Sequence, residues 1–351
     1  MSQMIDLTKT TAYDYLLPKE LIAQDPAEPR DSSRLLLVDR GTSRLEDHVF
    51  RDIISCLQPQ DLLVLNDTKV LPARLEGVKK YGGAKVEIFF LRPDGDEKNR
   101  WISMVKPGRK LPEGTVVTLN DQFEVTVGAR LEDGLRTIEF HAGDDPLAVI
   151  HLLGTTPLPH YITETNAAPE RYQTVYANEE KENSVAAPTA GLHFTEELLK
   201  KLTNKGVRKT FVTLQVGLGT FRPVKTDNIY EHIMHCELCE VSKEASQMIS
   251  ETKRNGGRVI AVGTTVVRTL ESFAKEYGEI KPGILNTRLF ISPGYEFKAV
   301  DAMITNFHLP KSTLLMLVSA FGGYETMMKA YQHAVQERYR FFSFGDSMFI
   351  Q

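Results

Sequence analysis

Between residues 85 and 140 the chain carries five short runs that alternate or are rich in β-branched residues: Lys85–Leu91, Trp101–Val105, Thr115–Leu119, Phe123–Val127 and Arg136–Phe140. Turn signals punctuate them at Gly82-Gly83, Asp94-Gly95, Pro107-Gly108 and Asp133-Gly134. Five or six strands at that spacing close into a small barrel or stack as a sandwich. The flanks constrain the fold further. Arg34–Asp39 and Asp61–Asn66 lie upstream and Arg258–Val262 downstream, all apolar runs of the kind buried on both faces of an α/β sheet. An all-β block bracketed in this way reads as an insertion. The expected fold is therefore an α/β main domain made of residues 1–67 plus 152–351, with a small all-β barrel domain inserted at residues 68–151.

At 351 residues the chain is long enough for two such domains, each with its own core. A net charge of −4 gives no support for non-specific nucleic-acid or membrane binding, but the charge is unevenly spread. Residues 69–110 hold eleven Lys/Arg against five acids, whereas residues 111–150 hold two against eight. The longest apolar run, Leu314 to Phe321, is far too short to span a bilayer, and no cationic stretch with an apolar core opens the chain. The protein is expected in the cytoplasm. Three cysteines argue against a disulfide framework. Cys236 and Cys239 form a C-x-x-C pair near His232 and His235, yet a closed zinc site needs four placed ligands and no second such pair occurs.

Several segments carry candidate chemistry. Ser184-Val-Ala-Ala-Pro-Thr-Ala-Gly-Leu-His-Phe-Thr195 is built of small side chains around one imidazole, so a ligand or another chain can approach its backbone at Gly191. Thr195 followed by Glu196 and Glu197 caps a helix, which places His193 just outside a helix start, where an imidazole resists protonation and can act as a base. The competing reading is a tight structural turn. Arg258–Val262 turns at Gly263-Thr264-Thr265 into a helix, an anion site to which Arg268, one turn further on, adds a fork of donors. Neither a Walker A loop nor a G-x-G-x-x-G fingerprint is present. Glu231-His-Ile-Met-His-Cys-Glu237 reads as helical, with Glu231 facing His235. Asn306, His308 and Ser312 follow a buried strand that runs to Thr305, at the kind of strand exit where ligands bind in α/β sheets. Asn66-Asp67-Thr68-Lys69 is a polar turn at another strand exit.

Together these segments resemble one family. Tyr13-Asp-Tyr-Leu-Leu-Pro18, Arg30-Asp-Ser-Ser-Arg34, Asn66-Asp-Thr-Lys-Val-Leu-Pro-Ala-Arg74, Arg171-Tyr-Gln-Thr-Val-Tyr176, the 184–195 stretch, Val216–Phe221, Gly263–Ser272, Thr305–Leu314 and Tyr339–Asp346 are similar to the S-adenosylmethionine:tRNA ribosyltransferase-isomerases of the queuosine pathway. The resemblance runs nearly end to end. It implies an α/β domain with an inserted Greek-key barrel, and an enzyme that moves the ribosyl unit of S-adenosylmethionine onto 7-aminomethyl-7-deazaguanine at the wobble position of tRNA with a GUN anticodon. The transferred unit is rearranged to an epoxycyclopentane, giving epoxyqueuosine-tRNA with loss of adenine and methionine. The implied co-substrate is S-adenosylmethionine, with no prosthetic group or metal, and the expected state is a monomer with no membrane partner.

That chemistry needs a neutral base for the ribose 5′ carbon beside the sulfonium, a group to help adenine leave, and a cation or helix start for the methionine carboxylate. His193 is the expected base. Thr264, Thr265 and Arg268 are expected at the methionyl carboxylate, Gly191 in contact with the co-substrate, Asn306 and His308 at the nucleoside, and His235, Glu237 and His308 as further catalytic candidates. Lys79, Lys80, Lys85, Lys106, Arg109 and Lys110 of the barrel are the electrostatic candidates for tRNA. Three positions depart from the family pattern, which implies Pro at His160, Gly at Asn183 and His at Gln215. Gln215 matters most: if the family's imidazole there serves catalysis, this chain lacks it, so either that role is not essential or activity is altered. A catalytically inactive tRNA-binding relative is the alternative that these departures raise. A methyltransferase is disfavoured by the missing Gly-rich nucleotide loop.

Overall fold

The computed structural model describes residues 5–95, 97–131, 134–217 and 224–351. Residues 218–221 of the Val216–Phe221 motif and Asp133 of the expected Asp133-Gly134 turn lie outside them. The chain divides into two compact units, one of Met1–Thr68, Pro159–Lys181 and Ala187–Gln351, the other of Lys69–Leu158 and Glu182–Ala186. The first unit begins with Arg34–Asp39 (β1), which folds back as Arg44–Val49 (β2). A helical turn at Phe50–Asp52 continued by Ile53–Cys56 (α1) then leads into Leu62–Asn66 (β3), buried at every position.

The second unit starts with Lys69–Val70 (β4) and continues through six strands: Arg74–Lys79 (β5), Lys85–Asp94 (β6), Glu97–Lys106 (β7), Thr115–Thr118 (β8), Glu124–Arg130 (β9) and Arg136–Phe140 (β10). They close in the order β10-β7-β6-β5-β8-β9. Because β8 returns beside β5 after the β5–β6–β7 meander, the barrel has a Greek-key connection. Its interior follows the period of two, with Ile88, Phe90, Val117, Val125, Val127 and Ile138 all inaccessible. Phe90 packs edge-on to Trp101 at 6.0 Å and against Phe140 at 5.3 Å. Arg136 is buried but satisfied, donating to the carbonyls of Gly108, Gly128 and Leu111. Helix Pro146–Leu153 (α2), capped by Asp145, and Glu182–Ser184 (β11), which pairs with β4, complete the unit.

The first unit resumes with Glu196–Asn204 (α3), Arg208–Leu214 (β12), Glu237–Val241 (β13), Lys243–Arg254 (α4), Val259–Val262 (β14) and Thr264–Tyr277 (α5). Gly283–Thr287 (β15), Ala302–Asn306 (β16), Thr313–Gly322 (α6), Tyr324–Gln336 (α7) and Ser347–Ile350 (β17) follow. One nine-stranded sheet results, in the order β15-β13-β12-β3-β14-β16-β17-β1-β2. Its centre, β12-β3-β14-β16, is parallel. Leu63 and Leu65 of β3 meet Leu198 and Leu202 of α3 on one face, with Phe50, Ile260, Ile304 and Phe349 in the same core. Alternate residues of β3 point to the other face, where Asn66 donates to Thr265 of α5 at 3.3 Å.

One expected helix is absent. The segment from Glu231 to Glu237 is a helical turn at Ile229–Glu231, an extended stretch, and then β13 beginning at Glu237. Pairing of β13 with β12 through Leu214 and Cys239, and with β15 on its other side, overrides the i, i+4 pattern that suggested a helix. Among the described residues no helix is long and apolar enough to cross a membrane.

Candidate active site

Four parallel strands end on the same side of the sheet, so their carboxyl-terminal turns converge. These are Asn66-Asp67 after β3, Gln215-Val216 after β12, Gly263 to Thr265 after β14, and Asn306 to His308 at the end of β16. A cleft of about 690 Å³, counted out to its open mouth, lies here. Its walls include Ala187 to Ala190, Val216, Gly263 to Thr265, Thr305 to Leu309, Tyr161 and Phe342. None of the described lining residues carries a formal charge at neutral pH. Such a surface suits an uncharged, flat ligand body oriented by a few polar groups.

Each polar group is fixed by local structure. Gly263 takes φ +96°, open to glycine, and lets the chain turn from β14 straight into α5, whose first amides are left without intrahelical partners. Asn66, fully buried, ties three elements together: its Oδ1 accepts from Leu214 N at 3.1 Å and from Thr68 N at 3.2 Å, while Nδ2 donates to Leu214 O. The backbone of His308 is clamped, its N–H donating to Tyr331 Oη at 2.9 Å and its carbonyl accepting from Tyr15 at 2.5 Å. Its ring stands 3.0 Å from Thr305 Oγ1, and burial lowers its pKa to about 3, so it is neutral at pH 7. Ser312 accepts from Leu315 N and starts α6.

His193 is in a different place from the cleft wall. Thr195 caps α3 by accepting from Leu198 N at 3.1 Å, so the ring does precede a helix start. Burial, with smaller contributions from Arg340 and Arg30, lowers its pKa to about 4. The ring stacks on Phe50 at 4.9 Å, Nδ1 lies 2.7 Å from Ser33 Oγ, and Nε2 lies 3.3 Å from Asn306 Nδ2. It stands one layer behind Asn306. Gly191 also faces away, and its small size serves the protein's own packing: a Cβ there would fall 1.9 Å from Tyr176 Oη.

Arg268 and Glu237 form a buried ion pair with each other, Glu237 also accepting from Gly217 N at 3.1 Å. Arg268 Nε donates to Leu289 O at 3.3 Å, and Nη2 is buried with no partner among the described residues. The pair lines a smaller cavity of about 320 Å³ with His232, His235, Thr313 and Leu314. Leu314 also lines the main cleft, so the two spaces share a wall. Thr264, Thr265, Asn306 and His308 are thus gathered at the cleft, and Arg268, Glu237 and His235 next to it. Cys236 is exposed, while Cys239 is buried and donates to Leu285 O. Burial pushes the Cys239 thiol up to about 12, which opposes the thiolate a zinc site needs.

On the barrel, Lys79 and Lys80 at the end of β5, Lys85 at the start of β6, and Lys106, Arg109 and Lys110 at and beyond the end of β7 fall on one rim. Antiparallel pairing brings them there, with Val78 opposite Lys85 and Glu87 opposite Lys106. Lys80 pairs with Glu124 at 2.8 Å and Lys106 with Glu87 at 3.2 Å, and the other four have no carboxylate partner among the described residues.

Sequence reasoning missed Ser33, Tyr161 and Phe342 as parts of the site. Phe342 sits at φ +71°, its ring 4.7 Å from Tyr161 and its carbonyl accepting from Asn306 Nδ2 at 3.0 Å. Ser33 and Phe342 lie within recognised motifs, but nothing in their residue types marks them. Of the departures, His160 is exposed beside Tyr161, and Gln215 donates its backbone N–H to Leu238 O.

A parallel α/β sheet with a ligand-sized cleft across its carboxyl ends, in a chain that also forms a closed barrel, defines a protein of an α/β unit and an all-β barrel unit. The sequence matches the family described as queuosine biosynthesis protein over residues 10–350, so the chain belongs to that family. Among solved structures, the S-adenosylmethionine tRNA ribosyltransferase of Thermotoga maritima is 42% identical to it. That alignment covers 97% of this chain and 100% of the other, with a TM-score of 0.56.

Proposed function

We propose that this protein transfers and isomerises the ribosyl unit of S-adenosylmethionine onto 7-aminomethyl-7-deazaguanine at the wobble position of tRNA with a GUN anticodon, releasing adenine and methionine. The observation that carries the reading is the uncharged cleft at the strand ends, in a chain 42% identical to a tRNA ribosyltransferase that uses this co-substrate. The adenosine part occupies the cleft, with Asn306 and His308 at the nucleoside. The methionyl part reaches past Leu314 to Arg268, whose Nη2, without a partner among the described residues, donates to the carboxylate, while Thr264 and Thr265 stand on the cleft side of Leu314. Glu237 keeps Arg268 in place and, with His235, borders that end. Of the two buried imidazoles, His308 lines the cleft and takes the 5′ proton next to the sulfonium. The cationic rim of the barrel attracts the tRNA backbone. The enzyme works as a cytoplasmic monomer without a prosthetic group.

The test is chromatographic detection of adenine and methionine after incubation with S-adenosylmethionine and tRNA carrying the aminomethyl base. Release in equal amounts, dependent on the modified base and lost in His308→Ala, is the expected result. Release from unmodified tRNA, or none at all with tRNA binding intact, would sink the reading. Gln215→His is expected to leave turnover within about threefold, less than 1 kcal/mol.

A further inference from the structure

Asn306 is held in one orientation by partners on two sides. Its Nδ2 donates to Phe342 O at 3.0 Å and faces His193 Nε2 at 3.3 Å. Turning the amide over would set its oxygen against the Phe342 carbonyl, acceptor to acceptor. His193 Nε2 must then be the lone-pair nitrogen, which leaves Nδ1 to carry the proton and donate to Ser33 Oγ at 2.7 Å. Burial keeps the ring neutral, as this arrangement requires. Both amide hydrogens are therefore used inside the protein. Asn306 Oδ1 is the one polar side-chain atom of the cleft lining, among the described residues, that is buried without a partner.

A buried carbonyl without a donor is costly, and the cost is recovered when a ligand supplies one. The chemistry of the wall selects the donor. No described lining residue is an acid, so an ammonium would lack a counter-charge there. A ribose hydroxyl both donates and accepts, and would be served by either orientation of the amide. A locked acceptor discriminates only for a group that can donate and not accept, such as an aromatic amine. We propose that Ser33 and His193 are positioning residues that hold the Asn306 amide with Oδ1 turned to the cleft, where it accepts from the exocyclic amine of adenine. This rests on the reading of the cleft as the S-adenosylmethionine site.

The experiment is calorimetric binding of S-adenosylmethionine and of the analogue whose exocyclic amine is replaced by a carbonyl, alongside adenine release. The unaltered protein is expected to prefer the amine by about tenfold or more, and Asn306→Ala to lose that preference to within about twofold. His193→Phe keeps the stack on Phe50 but removes the lone pair, and is expected to lose the preference as well. His193→Gln, which offers a carbonyl to Asn306 Nδ2, is expected to retain the preference and adenine release. Ser33→Ala falls between these. An unchanged preference in Asn306→Ala overturns the proposal. So does His193→Gln that binds with full preference but releases no adenine, since His193 would then be the base itself. If His193→Phe does not fold, Asn306→Ala and His193→Gln decide the matter alone. Should the unaltered protein bind neither ligand, the assignment of the cleft falls first and this proposal with it. Binding of both ligands equally would overturn only the lock.

Discussion

The two ends of the parallel strands are built to opposite rules. At the amino end, Asp61 precedes β3 and Arg258 precedes β14, and the two meet in a bidentate pair at 2.7 and 3.0 Å. Their other polar atoms are also engaged. Asp61 accepts from Gln58 N, Arg258 reaches Cys56 O and Gln351 Oε1, and Asp301 caps Val259 N. At the carboxyl end the corresponding pair, Arg268 with Glu237, leaves Nη2 without a partner among the described residues, and Asn306 leaves Oδ1 so as well. The two fully buried imidazoles of that end, His193 and His308, are held neutral by burial. Partners completed at one end make the sheet rigid, and partners left open at the other make room for a ligand.

Four substitutions or conditions probe this contrast. Asp61→Ala strips Arg258 of its carboxylate and should cost about 3 kcal/mol in urea unfolding. That is the low end for a buried pair, because 31% of the Arg258 side chain is in water. A loss under about 1 kcal/mol would erase the distinction between the ends. Acid acts from the other side. His193 and His308 have folded-state pKa values depressed to about 4 and about 3, so the unfolded chain binds their protons first as pH falls below its ordinary value of about 6.5. Stability present above that value is lost towards the folded values, on the order of 2 kcal/mol between pH 6 and pH 5 for the two rings together. The double variant His193→Gln with His308→Gln should flatten that slope in thermal melts across pH. Replacing Arg268 and Glu237 together by Met should leave stability within about 1 kcal/mol. It should also weaken S-adenosylmethionine binding about tenfold, worth about 1.4 kcal/mol. Retained affinity would move the methionyl end elsewhere. The smallest effect is Thr195→Ala, about 1 kcal/mol of α3 stability with affinity unchanged.

The buried strands β1, β3 and β14 and the barrel block were legible because their apolar or alternating runs carry their own signal. β2 was not, since Arg44-Leu-Glu-Asp-His-Val49 is a solvated edge strand whose charges belong to its position and hide its pairing. β13 and β15 exist only through partners distant in sequence, and local spacing at Glu231–Glu237 pointed to the wrong element. In the site, Gly263-Thr264-Thr265 and Asn306-Phe307-His308 were legible as strand exits. The position of His193 behind Asn306 was not, because an imidazole next to a helix cap looks the same in sequence from either side of a wall. Arg268 was legible as a cation near a helix start, but its pairing with Glu237 depends on the register of β13 against β12.

The pairing of β17 with β1 has a consequence for the birth of the protein. Ser347 to Ile350 run parallel to Leu35 to Val38 and antiparallel to Met303 to Ser347's partner Asn306, filling the space between β16 and β1. During translation β1 and its hairpin mate β2 must wait while some three hundred residues are made before their inner neighbour exists. Until then β16 and β1 each present an unpaired edge, and β17 is the bolt that joins the two halves of the sheet. Nascent copies stalled short of residue 347 should therefore depend on chaperones, whereas the barrel, closed by residue 140, has all its strands paired long before.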